Sequence, residues 1–187
     1  MNQHSSKAYD KIYATSTEYR KHYTQSMYFQ VWKTIMDKLY LDDDIVDLGC
    51  GPGHLAHMLH DNGFKNYTGI DFSEEAIAMA RGKLLRGFVF FRWDITELYY
   101  NLNGKQKVYV SSECFEHLKD DRALLAKIPS GTRVVFSIPD FDYHNHYRKY
   151  PNETFIQEYY KDHLYISSIQ KIPINNNHIF VVDAQIF

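Results

Sequence analysis

The stretch IVDLGCGPGH, residues 45–54, places the tightest constraint on how this chain can fold. A run of apolar residues leads through Asp47 into three glycines, Gly49, Gly51 and Gly53, and then into a helix-like segment. A glycine-rich turn between a strand and a helix lets a ligand approach the main chain, where a side chain would collide with it. The stretch therefore predicts a buried strand, a ligand-binding turn and a helix in direct succession.

Strand-like and helix-like segments alternate on both sides of this turn. Apolar residues at helical spacing predict helices over 27–40, 54–64, 73–85 and 120–128, with Ser73 as the N-cap of the third. Short apolar runs predict strands over 44–48, 67–71, 88–94, 107–113 and 132–139. This alternation predicts a parallel sheet with right-handed crossovers.

The end of the chain departs from this alternation. Two strand-like segments, 164–172 and 178–187, are separated only by the turn cluster PINNN, so they must run antiparallel. The predicted fold class is α/β: a three-layer sandwich around a Rossmann-like, doubly wound, mixed seven-stranded sheet that ends in a C-terminal antiparallel hairpin. Ligands of such sheets bind at the carboxyl ends of the strands.

Charge and composition disfavour several classes of partner. The net charge is −2 and the isoelectric point is near 6.5, so nothing attracts nucleic acid to the whole surface. Cys50 and Cys114 lie far apart and outside any CxxC motif, which favours a reducing compartment. No apolar run approaches the length of a membrane span. We expect a cytoplasmic protein without a membrane partner, and its oligomeric state stays open.

Acidic residues lie at the ends of the first three predicted strands and indicate the kind of ligand. Asp47 precedes the glycines, where a carboxylate suits a cationic amino group better than a pyrophosphate. Asp71 ends the second strand, where it can accept from both hydroxyls of a ribose. Asp94 ends the third strand, beside the expected place of an adenine, and Ile95 supplies an apolar wall. A nucleoside that carries a cation fits these acids better than a dinucleotide.

Four motifs in this order, DLGCGPG, GIDFSEEAI, WDI and SSECFEHL, resemble those of the class I S-adenosylmethionine-dependent methyltransferase family. The resemblance covers about residues 44–140 and is to its small single-domain members of the type 11 and 12 kind. It implies that the glycines line the methionine and ribose of the cofactor, that Asp47 holds its amino group and that Asp71 binds its ribose. Residues assigned to the cofactor in this way are Asp47, Gly49, Cys50, Gly51, Gly53, Asp71, Phe72, Asp94, Ile95 and Glu113.

The resemblance also divides the single predicted domain, 1–187, into three parts. Residues 1–40 are expected to form a helical lid, 44–140 the cofactor-binding core, and 141–187 a substrate loop followed by the hairpin. Five side chains of the first part either close the cleft or pack an amphipathic helix on the sheet; they are Tyr9, Tyr13, Tyr19, His22 and Tyr23. Helical spacing places Tyr19 and Tyr23 on one face, without Tyr13.

The E-x-x-E-H element formed by Glu113, Glu116 and His117 lies at the end of the fourth strand. It resembles the metal site of small-RNA 2′-O-methyltransferases and an element of ubiquinone-pathway O-methyltransferases. Three roles remain open: a divalent metal site, a base or substrate-orienting group, or a purely structural turn. The predicted catalytic residues are Glu116, His117 and His146, and no metal ligand is assigned. The basic and aromatic segment 144–150 could contact an anionic or sugar-bearing substrate, whereas a lone loop arginine such as Arg148 is more often a solvated charge.

The predicted activity is transfer of a methyl group from S-adenosylmethionine to an oxygen or nitrogen of a small-molecule acceptor. Direct displacement needs mainly alignment, because the methyl group of a sulfonium is already activated. A metal-assisted RNA 2′-O-methyltransferase is the alternative enzyme. A non-catalytic partner subunit that binds the cofactor is the alternative from another functional class. An NAD-dependent oxidoreductase is disfavoured, because the chain lacks the G-x-G-x-x-G motif of such enzymes.

Overall fold

A computed structural model describes residues 5–97 and 107–187, and in these ranges seven strands form one mixed sheet. The strand order is β3-β2-β1-β4-β5-β7-β6. The strands are β1 (Asp44–Leu48), β2 (Asn66–Asp71), β3 (Phe88–Arg92), β4 (Lys107–Ser112), β5 (Arg133–Pro139), β6 (Leu164–Ile174) and β7 (Asn177–Ile186). The predicted seven-stranded mixed sheet is confirmed.

Strand β1 lies at the point where the order of the strands in the sheet reverses. It pairs in parallel with β2 on one side and with β4 on the other, so the chain fills one half of the sheet before it crosses to the second half. Loops that leave the carboxyl ends of two such strands diverge and open a crevice between them. The glycine turn follows β1 and the E-x-x-E-H element follows β4, so both lie at this crevice.

The predicted C-terminal hairpin is also confirmed. Strand β7 pairs antiparallel with both β5 and β6. Its turn is tighter than the sequence indicated, because Pro173 and Ile174 belong to β6 and only Asn175 and Asn176 connect the strands. Asn175 has a φ of 50°, which is the left-handed conformation that two-residue hairpin loops favour and asparagine tolerates.

Helices cover both faces of the sheet and make the three layers. The first buried cluster joins Trp32 and Leu55 to one face of the sheet, and the second joins Leu124 and Ile156 to the other face. None of the helices in the described ranges is long and apolar enough to cross a membrane. The helices are α1 (Ser6–Thr15), α2 (Phe29–Met36), α3 (His54–Asp61), α4 (Glu74–Gly82), α5 (Asp121–Leu125) and α6 (Glu153–Tyr160).

Helix α6 was not predicted from the sequence. Asn152 caps its N-terminus by accepting from the backbone N–H of Phe155 at 2.8 Å. Ile156 and Tyr160, four residues apart, are fully buried on one face of the helix. The predicted N-cap of α4 is present, since Ser73 accepts from the N–H of Ala76 at 3.1 Å.

Gly69 lies in β2 where no larger residue fits. A Cβ atom at this position would lie 2.8 Å from Cδ1 of Phe90 and 2.9 Å from Sγ of Cys50. Because Cys50 belongs to the glycine turn, Gly69 lets that turn rest directly on the sheet.

We expect Gly69→Ala to lower the free energy of unfolding by about 1–3 kcal/mol, because the added methyl group overpacks a filled site. Urea unfolding measures the change. The matched control is Gly82→Ala at the end of α4, where a Cβ would meet nothing within 4 Å. This control should be neutral or stabilising by up to about 1 kcal/mol. Equal effects of the two substitutions would contradict the packing argument.

Candidate active site

The glycine turn is held on the carboxyl end of β2 by backbone hydrogen bonds. The N–H groups of Gly49 and Cys50 both donate to the carbonyl of Ile70, at 2.8 and 3.0 Å. Gly49 and Gly51 have φ values of 79° and 51°, in the left-handed region that glycine adopts without strain. The turn thereby presents bare main chain toward the crevice.

Gly53 lies apart from the other two glycines. It precedes α3 with a φ of 77°, and a Cβ there would lie 3.2 Å from Cβ of Ala80 in α4. Gly53 does not line the cavity described below. Its surroundings favour a role in packing the start of α3 against α4 over the predicted cofactor contact.

Asp47 is a buried carboxyl group with one unused oxygen. Its side chain is 2% exposed, and its Oδ2 accepts from the hydroxyl of Tyr67 at 2.5 Å. Its Oδ1 has no hydrogen-bond partner within the described part of the chain. Burial raises the pKa of Asp47 to about 7. An unpaired buried oxygen of this kind fits a cationic ligand group, because an ammonium would supply both the missing donor and the opposite charge.

Asp71 joins the glycine turn to α4. Its Oδ2 accepts from the N–H of Gly51 at 2.9 Å, and its Oδ1 accepts from the N–H of Ser73 at 2.8 Å. Burial raises the pKa of Asp71 to about 6, although these two amides partly oppose the shift. A ribose hydroxyl would have to use the remaining lone pairs of a carboxylate that is already oriented by the backbone.

Helix α1 covers the glycine turn. The hydroxyl of Tyr13 lies 3.3 Å from the position that a Cβ of Gly51 would occupy. The ring of Tyr9 lies 5.2 Å from that of Phe72, and Asp10 accepts from the hydroxyl of Ser73 at 2.6 Å. Contacts from the middle and the C-terminal part of the helix thus hold it across the mouth of the crevice.

The five predicted lid side chains do not act as one group. Tyr9, Tyr13 and Tyr19 line the cavity, whereas His22 and Tyr23 do not. The expectation that Tyr19 and Tyr23 share a face without Tyr13 was wrong. The helix ends at Thr15 and separate 3₁₀ turns follow, so the rings of Tyr13 and Tyr19 meet at 4.7 Å.

The E-x-x-E-H element forms a tight turn after β4. Glu113 has a φ of 52°, a strained value for a residue other than glycine. It is fixed there by Ser137, whose hydroxyl donates to Oε1 of Glu113 at 2.8 Å and accepts from its N–H at 3.0 Å. Burial raises the pKa of Glu113 to about 7. Residues Phe115–His117 then form one 3₁₀ turn.

Glu116 is fully buried, and neither of its carboxyl oxygens has a hydrogen-bond partner in the described ranges. Burial, and next the nearby Glu113, raise its pKa well above the usual value. Nε2 of His117 lies 3.7 Å from Oε1 of Glu116. Two carboxyl groups and an imidazole are therefore concentrated at the end of β4.

The segment after β5 brings His146 to the same place. Nδ1 of His117 lies 2.9 Å from the carbonyl of Asn145, to which it can only donate, and the rings of His117 and His146 lie 4.8 Å apart. One ligand atom from each of Glu116, His117 and His146 lies within 4.8 Å of the other two. Burial lowers the pKa of His146, so its imidazole is neutral at neutral pH.

Arg148 is not the solvated charge expected from the sequence. Its guanidinium donates to Asp121 at 2.9 Å and to the carbonyls of Leu118 and Lys119 at 2.9 and 2.6 Å. The N–H of Tyr147 donates to the carbonyl of Glu116 at 2.7 Å. These bonds fix the loop of His146 on the E-x-x-E-H turn and direct the arginine charge away from the cavity.

Asp94 and Ile95 form the far wall of the crevice. Oδ1 of Asp94 accepts from the N–H and the hydroxyl of Thr96, at 2.8 and 2.7 Å. Ile95 is 6% exposed and begins the 3₁₀ turn Ile95–Glu97. Their assignment to an adenine stays a prediction.

A cavity of about 940 Å³ joins these groups. All predicted site residues except Gly53 line it: Asp47, Gly49, Cys50, Gly51, Asp71, Phe72, Asp94, Ile95, Glu113, Glu116, His117 and His146.

The sequence analysis missed an aromatic wall of this cavity, which consists of Tyr28, Trp32, Phe141 and Tyr143. Trp32 is fixed by donating to Oγ of Ser112 at 3.1 Å and by stacking on His54 at 5.2 Å. The one sequence signal for such a wall is the aromatic content of the chain, 16% of its residues.

The ionisable side chains of the lining are mostly acidic, although burial raises the pKa of Asp47, Asp71, Glu113 and Glu116. Seven carboxyl groups face one lysine, Lys119, among the described residues that line the cavity. The carboxyl groups belong to Glu18, Asp47, Asp71, Asp94, Glu113, Glu116 and Asp142. Such a cavity favours cationic and neutral ligands over polyanions.

Known proteins of similar sequence or fold indicate the class of this protein. A family model described as a methyltransferase domain matches residues 45–133. No curated protein sequence matches the chain significantly. Many solved structures share the fold.

Three of these structures are methyltransferases of low sequence identity. One is an S-adenosylmethionine-dependent methyltransferase from Mesorhizobium loti, with 17% identity, a TM-score of 0.65, and coverage of 87% of this chain and 99% of that one. Magnesium protoporphyrin IX methyltransferase from Synechocystis PCC 6803, with bound S-adenosylmethionine, has 18% identity, a TM-score of 0.65 and 97% coverage of both chains. The 1,6-didemethyltoxoflavin-N1-methyltransferase of Burkholderia thailandensis has 19% identity, a TM-score of 0.63, and coverage of 83% and 77%.

The family model covers just under half of the chain, and together with the shared fold it agrees with the class that the motifs indicated, the S-adenosylmethionine-dependent methyltransferases. The cavity is therefore a candidate site for S-adenosylmethionine. The unpaired oxygen of Asp47 fits the ammonium of this cofactor, and Gly49 and Gly51 line the same cavity.

The raised pKa of Asp47 predicts that cofactor binding depends on pH. The ionised carboxylate binds an ammonium, so below a pH of about 7 the group must lose a proton on binding. We expect the affinity for S-adenosylhomocysteine, measured by calorimetry, to fall as the pH drops from 8 to 6. Asp47→Asn should weaken binding at pH 8 and flatten this dependence. Asp94→Asn is the control and should keep the dependence, because it leaves Asp47 in place.

Stability should change in the opposite sense. A buried carboxyl with a raised pKa binds more protons in the folded than in the unfolded state, so its contribution to stability falls as pH rises toward 7. Asp47→Asn should therefore raise the free energy of unfolding of the cofactor-free protein at pH 8. A variant that loses both stability and binding would contradict this assignment.

Proposed function

We propose that the protein transfers the methyl group of S-adenosylmethionine to an oxygen or nitrogen of a small-molecule acceptor by direct displacement. The observation that carries this proposal is the position of Glu116. Its buried, unpaired carboxyl group lies with His117 and His146 in the same cavity as the cofactor acids.

The size and charge of the cavity support a small acceptor. A volume of about 940 Å³ suits a cofactor together with a small molecule. The aromatic wall offers a flat surface for stacking, and seven carboxyl groups disfavour a polyanion. Two enzymes of the same fold, from Synechocystis and Burkholderia, act on a porphyrin and on a toxoflavin precursor, both of which are small molecules.

The residues of the cavity fit the proton transfer that this reaction needs. The cofactor supplies an electrophilic methyl group on sulfur. As the acceptor atom forms a bond to that carbon and the carbon–sulfur bond breaks, the acceptor proton must move to a base. His146 is neutral at neutral pH because burial lowers its pKa, and it is therefore ready to accept this proton.

Helix α1 contributes by excluding water. Burial raises the pKa of Tyr9, so its hydroxyl stays uncharged. Nδ2 of Asn145 donates to this hydroxyl at 3.1 Å. This bond joins α1 to the loop that carries His146. Closure of the cavity strengthens the electrostatic interactions inside it.

Transfer of a radiolabelled methyl group to a panel of phenols, catechols, aromatic amines and an RNA oligonucleotide tests the proposal. We expect transfer to at least one small molecule and none to RNA. On that acceptor, His146→Ala should lower kcat about 100-fold or more, as loss of a general base does, with little change in KM for the cofactor. His144→Ala is the matched control from the same loop and should retain most of kcat. Transfer to RNA alone, or equal losses in both variants, would overturn the proposal.

A metal-assisted reaction is the second candidate, and one observation favours it. The ligand atoms of Glu116, His117 and His146 lie within 4.8 Å of one another, and the two imidazoles with a carboxylate suit a divalent cation. A cation there would polarise an acceptor hydroxyl and lower its pKa. Activity that is lost with a chelator and restored by Mn²⁺ or Mg²⁺ would favour this candidate over a free base.

A further inference from the structure

A second cluster of metal-ligating side chains lies outside the cavity, where the N-terminal segment meets α3. It consists of His22, His57 and Asp61, and one ligand atom of each lies within 4.8 Å of the others. Nε2 of His57 lies 3.8 Å from Oδ2 of Asp61, and the rings of His22 and His57 meet edge to face at 4.7 Å. Small rotations of these partly exposed side chains can bring the three atoms around one ion.

Local structure explains why these side chains converge. His57 and Asp61 are four residues apart on α3 and so project from one face of it. His22 precedes the 3₁₀ turn Tyr23–Gln25, and the hydroxyl of Tyr23 donates to Oδ2 of Asp61 at 2.9 Å. This bond places His22 beside α3.

The imidazole of His22 caps the turn that follows it, because its Nδ1 accepts from the N–H of Thr24 at 3.4 Å and lies 2.9 Å from Oγ1 of the same residue. An ion at Nε2 would require the proton of the neutral ring to move to Nδ1, where Oγ1 of Thr24 can accept it.

We propose that His22, His57 and Asp61 form a surface site for a divalent transition-metal ion such as Zn²⁺ or Co²⁺. Two imidazoles and one carboxylate are a donor set of these ions, whereas Mg²⁺ and Ca²⁺ prefer oxygen ligands throughout. Solvent would complete the coordination, because the cluster lies at the surface.

The position of the site gives the ion a role in holding the N-terminal segment. One connection to α3 is the bond of Tyr23 to Asp61, and another joins Nε2 of His54 to the carbonyl of Lys21 at 3.0 Å. His54 lines the cavity one helical turn before His57. A bound ion would add a connection between His22 and α3. It would thereby hold the segment that follows α1, the helix that covers the cavity.

Metal titration of the chelator-treated protein tests this site. Zn²⁺ binding is measured by calorimetry and Co²⁺ binding by visible absorption, both in a Glu116→Gln background that removes the carboxylate of the other cluster. We expect one ion to bind and His57→Ala to weaken its binding about tenfold or more. His60→Ala, on the same helix, is the matched control: Nδ1 of His60 lies 4.0 Å from Oδ1 of Asp61, but its loss leaves all three ligands in place, so this variant should bind the ion nearly as the background protein does. Should His57→Ala fail to fold, His22→Ala in the exposed segment takes its place.

Tryptic cleavage after Lys21 gives an independent readout. Zn²⁺ should slow this cleavage in the background protein and leave it unchanged in the His57→Ala or His22→Ala variant. Failure of Zn²⁺ to bind, equal affinity in variant and background, or an equal loss in His60→Ala would each overturn the proposed site.

Discussion

The carboxylate of Asp71 is the interaction on which the rest of the site depends. It bonds to the amides of Gly51 and Ser73, and so connects the glycine turn, the end of β2 and the first turn of α4. Each connected element carries part of the site. The glycine turn forms the floor of the crevice, and the hydroxyl of Ser73 donates to Asp10 of α1, the helix that covers the turn. A neutral residue at position 71 would loosen all three at once, because charged acceptors make the stronger hydrogen bonds.

The cavity concentrates buried acids that work against folding. Asp47, Glu113 and Glu116 are all buried with raised pKa values, and each ionises only at a cost in stability. The surrounding structure compensates by anchoring them well. Arg148 and the hydroxyls of Tyr150, Tyr159 and Tyr160 all donate to the fully buried Asp121, which fixes the loop of His146 from behind. A rigid support lets Oδ1 of Asp47 and the oxygens of Glu116 remain without a hydrogen bond within the described ranges until a ligand reaches them.

Much of the fold and part of the site could be predicted from the sequence. Buried strands followed by glycines or acids carry strong local signals, and Asp47, Asp71 and Glu113 lie at the cavity as their strand ends suggested. Contacts between distant segments gave no such signal. Nothing near Arg148 indicates that Asp121 will face it, and the end of α1 at Thr15 decides which tyrosines meet.

Gly53 illustrates a different limit of sequence patterns. It belongs to the same motif as Gly49 and Gly51, yet the structure places it between two helices and away from the cavity. Glycine satisfies two physical needs, exposed main chain and close packing, and a motif does not distinguish them. The regular spacing of a glycine turn therefore overstates how many of its members can touch a ligand.

The bond between Asp10 and α4 has a consequence for how the cavity opens. Asp10 accepts from both the hydroxyl of Ser73 and the N–H of Glu75, so it supplies a cap to α4 from another segment of the chain. If α1 were to move off the crevice, that amide would lose its acceptor and the first turn of α4 would be free to fray. Exchange of the amide proton of Glu75 with solvent would therefore follow any such opening of the cavity.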